Sequence, residues 1–263
     1  VEGQREQMAG FNLEFVAVNH SIPDAMAVVI RSVAGSVLHT GDFKMDQLPL
    51  DGRLTDLRAF ARLGEEGVDL FLPDSTNADV PGFTPPEKDI GPVIDGIIHR
   101  TKGRVVVASF SSHVHRVQQV IDAAVANNRH VVLMGRSMVR NMGIAVELGY
   151  LEVPEGVLVD LKKAGDIPHE KLIYMSTGSQ GEPMAVLARM ANLEHQIEVG
   201  PGDTVILASL DVCQPVYLAV PGKGHFFAEP LAKTGASDEV QLYGEVGLKY
   251  GAETFHGVIK DLS

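Results

Sequence analysis

The sequence has a single cysteine, Cys213, and no hydrophobic run long enough to span a membrane. One cysteine excludes an intrachain disulfide and a cysteine-rich zinc site, so we expect a cytoplasmic protein. The first ten residues, VEGQREQMAG, are polar and do not resemble a signal peptide. The sequence therefore predicts no association with a membrane.

The chain also has few basic residues for its length. Its 263 residues carry a formal net charge of −12, whereas a protein that binds nucleic acid duplexes without sequence preference is usually basic. Any nucleic acid must therefore be bound in a local groove rather than by the overall field. The hydrophobic fraction of 45% suits one large or two ordinary globular domains with a sizeable core.

The hydrophobic pattern divides the chain into three segments with boundaries near residues 78 and 209. Segment 1–78 alternates apolar and polar residues in a way that predicts strands and one helix. These are strands at 11–19, 26–33, 36–40 and a buried 68–72, with a helix at 54–63. In segment 79–209, helices at 86–101, 114–127, 136–148 and 182–192 alternate with strands at 104–108, 130–134, 171–175 and 204–208. This alternation predicts a parallel sheet flanked by helices, and 210–263 reads as glycine-rich short strands and loops.

Polar side chains follow three of the predicted strands. His20 ends the first strand, Asp42 follows the third in HTGDF, and Asp74 follows the buried strand in PDST. In open α/β sheets, ligands gather at the carboxyl ends of strands, and zinc binds histidine nitrogen and aspartate oxygen. An aspartate after a strand is also a common turn former or N-cap. From spacing alone, the turn interpretation is favoured for each residue taken singly.

A second group of polar residues lies at the start of a predicted helix, in SFSSHVHR at 109–116, which we call the helix opening. Ser111, Ser112, His113, His115 and Arg116 lie where free backbone N–H groups and the helix dipole favour an anion. The alternative is plain N-capping by Ser111 or Ser112. Because one serine is enough for a cap, we favour phosphate binding.

The stretch STGSQGEP at 176–183 repeats this arrangement of a strand, a glycine-rich turn and a helix. Gly178 allows close backbone approach, and Ser179 and Gln180 are candidate phosphate contacts. The stretch lacks the lysine of a nucleotide P-loop, and an ordinary strand-to-helix turn is the favoured alternative. Two such helix openings in one parallel sheet lie at the same edge, which strengthens the phosphate interpretation.

Taken together, several motifs resemble bacterial ribonuclease J. They are NHSIPDAMAVVI, HTGDFK, LPDSTNA, ASFSSHVHRVQQ, GRSMVRNM and STGSQGEPMAVLARMA, which fall in one order between about residue 5 and Ser209. That family combines a metallo-β-lactamase αββα domain with an inserted β-CASP domain. The resemblance implies an α/β fold, with 1–78 as part of the first domain and 79–209 as the second.

The resemblance also implies an activity. Members of the family are zinc-dependent ribonucleases with two zinc ions per site. They cut RNA internally and degrade it from a 5′ monophosphate, in rRNA processing and mRNA decay in the cytoplasm. They bind single-stranded RNA and form homodimers or tetramers.

The same resemblance assigns roles to individual residues. His20 matches a zinc ligand, Asp42 matches the carboxylate that bridges the two zinc ions, and Asp74 matches an acid beside the metal centre. SFSSHVHR matches the loop that holds the RNA 5′ phosphate region, with Ser112 and His115 as the best candidates. STGSQGEP matches another loop of the inserted domain that contacts RNA.

Two departures from the family limit what the resemblance implies. The main zinc motif, HxHxDH, is nowhere in the sequence, so His20 and Asp42 are the only expected zinc ligands and we expect no complete dinuclear centre in this chain alone. From Leu210 onward the family pattern stops, and QLYGEVGLKYGAETFHGVI resembles the C-terminal end of phage capsid proteins. This indicates a fusion or a misjoined reading frame.

Two alternatives to a truncated or fused nuclease therefore stay open. One is a non-catalytic module that binds RNA 5′ phosphates or nucleotides through the helix openings alone. The other is a structural assembly protein, if the C-terminal segment reflects the context of the chain.

Overall fold

The computed structural model describes residues 3–76, 85–179, 182, 184–200 and 202–208, together with three strands near the C-terminus. The chain divides into two compact units. The first comprises Val1–Ile94, Ser112–Val120 and Met142–Glu152, and the second comprises Asp95–Ser111, Ile121–Asn141 and Val153–Ser263. The first unit includes chain from both sides of residue 79, whereas the second lies wholly after it. The domain boundaries at 78 and 209 stay a prediction.

The first unit contains a five-stranded sheet whose strands follow one another in chain order. Its strands are β1 (Arg5–Met8), β2 (Phe11–Ala17), β3 (Met26–Ser32), β4 (Gly35–His39) and β5 (Leu70–Leu72). All neighbours are antiparallel except β4 and β5, which are parallel. Strands β2, β4 and β5 therefore run in the same direction, and their carboxyl ends meet at one edge of the sheet.

Helix α1 (Leu57–Glu66) supplies the hydrophobic cover for one face of this sheet. Its Leu63 belongs to a buried cluster with Val16, Val29 and Leu38. The helix begins three residues later than the predicted 54–63, because the side chain of Asp56 accepts a hydrogen bond from the backbone N–H of Ala59 and fixes the N-terminus there.

The strand predicted at 68–72 is shorter and more exposed than expected. Leu70, Phe71 and Leu72 are 49%, 52% and 41% exposed, so the prediction of a buried strand was wrong. Among the described strands, β5 lies at the edge of this sheet and has a hydrogen-bonded neighbour on one side only. Strand β1 was not predicted, because all four of its residues are exposed and its polar sequence carries no hydrophobic signal.

The second unit is built on a sheet that is parallel in its centre, as predicted. It contains β6 (Val105–Ala108), β7 (His130–Leu133), β8 (Leu172–Ser176), β9 (Thr204–Leu207) and β12 (Gly257–Lys260), in the order β12-β9-β6-β8-β7. Only β12 is antiparallel to its neighbour. The continuous burial of Val105–Ala108 is typical of a central parallel strand. Strands β10 (Phe226–Pro230) and β11 (Val240–Gly244) form a separate antiparallel pair.

Helices alternate with these strands along the chain. They are α2 (Ile90–Arg100), α3 (Val114–Ala126), α4 (Arg136–Glu147) and α5 (Val186–Ala191), with 3₁₀ turns at Glu87–Asp89, Leu161–Asp166 and His169–Lys171. The predicted helix at 86–101 thus begins as a 3₁₀ turn, and the one predicted at 182–192 is shortened at its N-terminus. Among the described residues, no helix combines the length and the apolar character that crossing a bilayer requires.

Met190 belongs to the hydrophobic cluster of the second unit and is fully buried. We expect Met190→Ala to lower the free energy of unfolding by about 2–5 kcal/mol, because the shorter side chain leaves a cavity. Urea denaturation followed by circular dichroism measures this change. Met184→Ala is the matched control, since Met184 is 84% exposed. Equal losses for both variants would contradict the assigned core.

Candidate functional site

The three polar residues predicted at strand ends lie at one edge of the first sheet. His20 follows β2, Asp42 follows β4 and Asp74 follows β5, whose carboxyl ends share that edge. The Nε2 atom of His20 lies 3.9 Å from Oδ2 of Asp42, and the carboxylate of Asp42 is largely exposed. The fold therefore brings His20 and Asp42 together at an accessible corner, the His20–Asp42 corner.

Asp74 is held in place by a turn. Its Oδ1 accepts hydrogen bonds from Oγ1 of Thr76 at 2.6 Å and from the backbone N–H of Thr76 at 3.0 Å. These bonds, with smaller contributions from the Phe43 N–H and the charge of His20, lower the pKa of Asp74. Asp74 is therefore an ionised carboxylate close to His20, and it also makes the bonds expected of a turn-forming aspartate.

These residues do not close a zinc site by themselves. Across the part of the chain that the structure describes, no group of three or more histidine, cysteine or acidic side chains is arranged to hold a metal ion. Zinc takes about four ligands, counting any bound water. His20 and Asp42 can supply two of them, so a dinuclear centre needs ligands beyond these residues.

The predicted phosphate-binding segment straddles the start of α3. Ser112, His113, His115 and Arg116 belong to the first unit, whereas Ser111 belongs to the second. The helix begins at Val114, whose N–H donates to the carbonyl of Ser112 at 2.9 Å.

Ser111 is fixed within the second unit. Its carbonyl accepts a hydrogen bond from Nδ2 of Asn141 at 3.0 Å, and its hydroxyl lies 3.4 Å from the same atom. An amide side chain of the same unit thus anchors Ser111.

Arg116 is fully buried, and its partner is an acid that the sequence did not reveal. Its Nε and Nη2 atoms donate to Oε1 of Glu87 at 3.0 and 2.6 Å. The Oε2 atom of Glu87 lies 3.3 Å from Nζ of Lys44, and the backbone N–H of Glu87 donates to Oδ2 of Asp46 at 2.7 Å. We call these four residues, Lys44, Asp46, Glu87 and Arg116, the Glu87 cluster. As placed, the guanidinium of Arg116 faces Glu87 rather than solvent.

The Glu87 cluster is balanced in charge. Lys44 and Arg116 are cationic, Asp46 and Glu87 are anionic, and all four side chains are mostly buried. Burial alone raises the pKa of Glu87, but the approach of His113 and the charges of Arg116 and Lys44 outweigh it and hold this pKa well below its usual range. Glu87 therefore stays ionised throughout the physiological pH range.

Two histidines of the helix opening lie against carboxylates. Nε2 of His113 is 3.4 Å from Oε1 of Glu87, and Nε2 of His115 is 3.5 Å from Oδ2 of Asp51. Burial lowers the pKa of both imidazoles despite these neighbours. Both rings are therefore mainly neutral near pH 7.

A small pocket joins the two groups of predicted residues. Its volume is about 10 Å³, room for about one water molecule. It is lined by Asn19, His20, Ser21, Lys44, Asp46, Pro49, Leu50, Glu87 and His115. Because His20 and His115 both line this pocket, these two predicted residues belong to one candidate site within the first unit.

The loop STGSQGEP belongs to the second unit, and packing explains its first glycine. Gly178 has a φ of +114°, and a Cβ there would lie 3.0 Å from the Cβ atoms of Ala185 and Leu187. Ser179 is buried, and its hydroxyl has no hydrogen-bond partner within the described parts of the chain. Gln180 lies outside the described residues. The phosphate role of this loop stays a prediction.

Comparison with known families first defines the class of the chain. Residues 102–215 match the family described as "Ribonuclease J, beta-CASP domain". With the mixed α/β architecture and the parallel sheet flanked by helices, this match confirms the predicted fold class, a β-CASP domain of the metallo-β-lactamase superfamily.

Individual relatives then narrow the resemblance to one kind of protein. Ribonuclease J from Mycolicibacterium smegmatis is 54% identical over 209 residues, which are 79% of this chain and 38% of the relative. The Corynebacterium glutamicum protein is 52% identical over the same share of this chain and 29% of its own length. The Thermus thermophilus protein is 47% identical over 76% of this chain and 35% of its own length. The resemblance to ribonuclease J is confirmed, and it is partial, since the chain spans 29% to 38% of the length of these relatives.

The C-terminal part of the chain is similar to a different protein family. Residues 177–263 match the family described as "SU10 major capsid protein", which confirms the resemblance to phage capsid proteins. A solved structure of a protein of unknown function from Enterococcus faecalis V583 covers 66% of this chain with a TM-score of 0.46 and 15% identity, too low a likeness to carry an argument.

The burial of His113 has a consequence for stability. An unfolded chain binds a proton at histidine below about pH 6.5, whereas the lowered pKa keeps the folded ring neutral. We therefore expect the free energy of unfolding to fall between pH 7 and pH 5, because the unfolded state binds more protons. Urea denaturation at several pH values should show a shallower fall for His113→Gln. The control is His169→Gln, at an exposed histidine, and an unchanged slope in His113→Gln would contradict the assignment.

Proposed function

We propose that this chain is part of a zinc-dependent ribonuclease that binds the 5′ end of single-stranded RNA. The observation that carries the proposal is the pocket shared by His20 and His115. This pocket connects the His20–Asp42 corner, which has a carboxylate and an imidazole, to the N-terminus of α3. A nuclease that recognises a phosphorylated RNA end needs both kinds of group.

We propose that the helix opening binds the 5′ monophosphate. The N-terminus of α3 presents backbone N–H groups, which favour anions. His115 and Ser112 are the side chains we assign to this contact. Arg116 is paired with Glu87, so we assign it the indirect role of orienting the opening rather than a direct contact.

We propose His20 and Asp42 as two of the ligands of a zinc site, and Asp74 as an acid beside it. Zinc supplies a Lewis acid and an activated water in hydrolytic sites. The described residues do not complete such a site, so cleavage by this chain requires further ligands.

Both internal cleavage and degradation from the 5′ end belong to the proposal, as do roles in RNA maturation and decay and assembly as a homodimer or tetramer.

A second candidate function follows from the C-terminal similarity. Residues 177–263 match a capsid protein family, which favours a role in assembly for that part of the chain. Light scattering separates the two functions, because an assembly protein forms large ordered particles.

The test is cleavage of a 5′-monophosphorylated oligoribonucleotide by the purified chain with added Zn²⁺. Any cleavage that the chain supports should be lost with a chelator and should fall at least about 100-fold in Asp42→Ala, the range typical of losing one catalytic electrostatic contact. Asp166→Ala, at an exposed carboxylate, is the matched control and should retain activity.

A different set of outcomes would favour the non-catalytic module. Binding of the same oligonucleotide without cleavage, unaffected by a chelator and lost in Ser112→Ala with His115→Ala, would overturn the nuclease proposal for this chain while retaining recognition of the RNA end. If the chain neither cleaves nor binds the oligonucleotide, the nuclease proposal and the binding-module alternative are both overturned.

A further inference from the structure

Glu87 contacts two segments that are far apart in sequence. On one side are Lys44 and Asp46, in the loop that follows β4 and carries Asp42. On the other side are His113 and Arg116 of the helix opening. We propose that Glu87 is a positioning residue that fixes this loop against the opening of α3 and so sets the spacing between the His20–Asp42 corner and His115. The inference rests on the proposed function and names a residue that acts through both parts of that site.

The first link runs from Glu87 to the strand-end residues. Lys44 is anchored twice, since its ammonium lies 3.3 Å from Oε2 of Glu87 and its backbone N–H donates to the carbonyl of Asn19 at 2.6 Å. Asn19 immediately precedes His20, and Lys44 follows Asp42 by two residues. A movement of Glu87 would therefore displace both His20 and Asp42, because one short stretch of backbone links them to Lys44.

The second link runs from Glu87 to the helix. Besides the two bonds from Arg116, the carbonyl of Glu87 accepts from Nε2 of Gln119 at 2.8 Å, and Oε1 of Gln119 accepts from Nε of Arg116 at 3.2 Å. Side chain and backbone of Glu87 thus bind the first two turns of α3. A helix held at two residues on one face cannot rotate or slide without breaking these bonds.

The charges of Lys44 and Arg116 make this arrangement depend on the carboxylate of Glu87. Removing it leaves Lys44 and Arg116 with Asp46 as the remaining acid of the Glu87 cluster, in a site where both cations are mostly buried. Breaking one partner of a buried pair leaves an uncompensated charge, which the protein relieves by moving the group toward water. The loop and the helix opening are the parts that must move.

The test is hydrogen exchange by mass spectrometry on the intact chain and on Glu87→Gln. We expect amide exchange at least about tenfold faster in residues 42–50 and 112–120 together, with β3 unchanged, since local opening affects contiguous segments. Lys88→Gln, at the exposed neighbouring residue, is the matched control and should match the original chain. Glu87→Asp, which keeps the charge on a shorter side chain, serves if Glu87→Gln does not fold.

Two results would overturn the proposal. One is unchanged exchange in both segments. The other is a uniform increase in exchange that includes β3 and occurs in both Glu87→Gln and Glu87→Asp, because the loss of a merely stabilising residue would give that result. A second readout is the ratio of dissociation constants for 5′-hydroxyl and 5′-monophosphorylated oligoribonucleotides, which should fall toward one in Glu87→Gln. If the original chain shows no preference between them, recognition of the RNA end fails, while the exchange result still decides the role of Glu87.

Discussion

Glu87 carries a negative charge into a mostly buried site, and the guanidinium of Arg116 is the cation that makes this burial possible. A buried carboxylate without a partner costs several kcal/mol, so the two charges must stay together. Their chain positions are 29 residues apart, and this pairing therefore fixes the segment before α2 against the start of α3. The positions of Lys44, His113 and the pocket all depend on it.

The balanced charge of the Glu87 cluster also shapes how an anion could bind. Arg116 and Lys44 are already neutralised by Glu87 and Asp46, and burial keeps His113 and His115 mainly neutral. A phosphate bound at this site, as we propose, would therefore contact backbone N–H groups and neutral donors rather than a free cation. Such local binding would agree with the strongly negative overall charge of the chain.

The sequence predicted periodic elements well and long-range pairing poorly. The central parallel sheet and strands β2 to β4 were predicted because apolar residues recur with strand spacing, and the shared edge of His20 and Asp42 follows from strand direction. The exposure of β5 could not be predicted, since an apolar run does not reveal that its strand lies at an edge. Glu87 was missed because it lies in a proline-rich stretch and its partners are 29 and 43 residues away.

The most direct measurement of the central claim is a double-mutant cycle on Glu87 and Arg116. It compares the free energy of unfolding of the original chain with Glu87→Gln, Arg116→Gln and the double variant. The account predicts a coupling free energy of at least about 1.5 kcal/mol, because each single change leaves a buried charge or donor unpaired. Additive losses, with a coupling near zero, would show that the two residues act independently and would contradict the account.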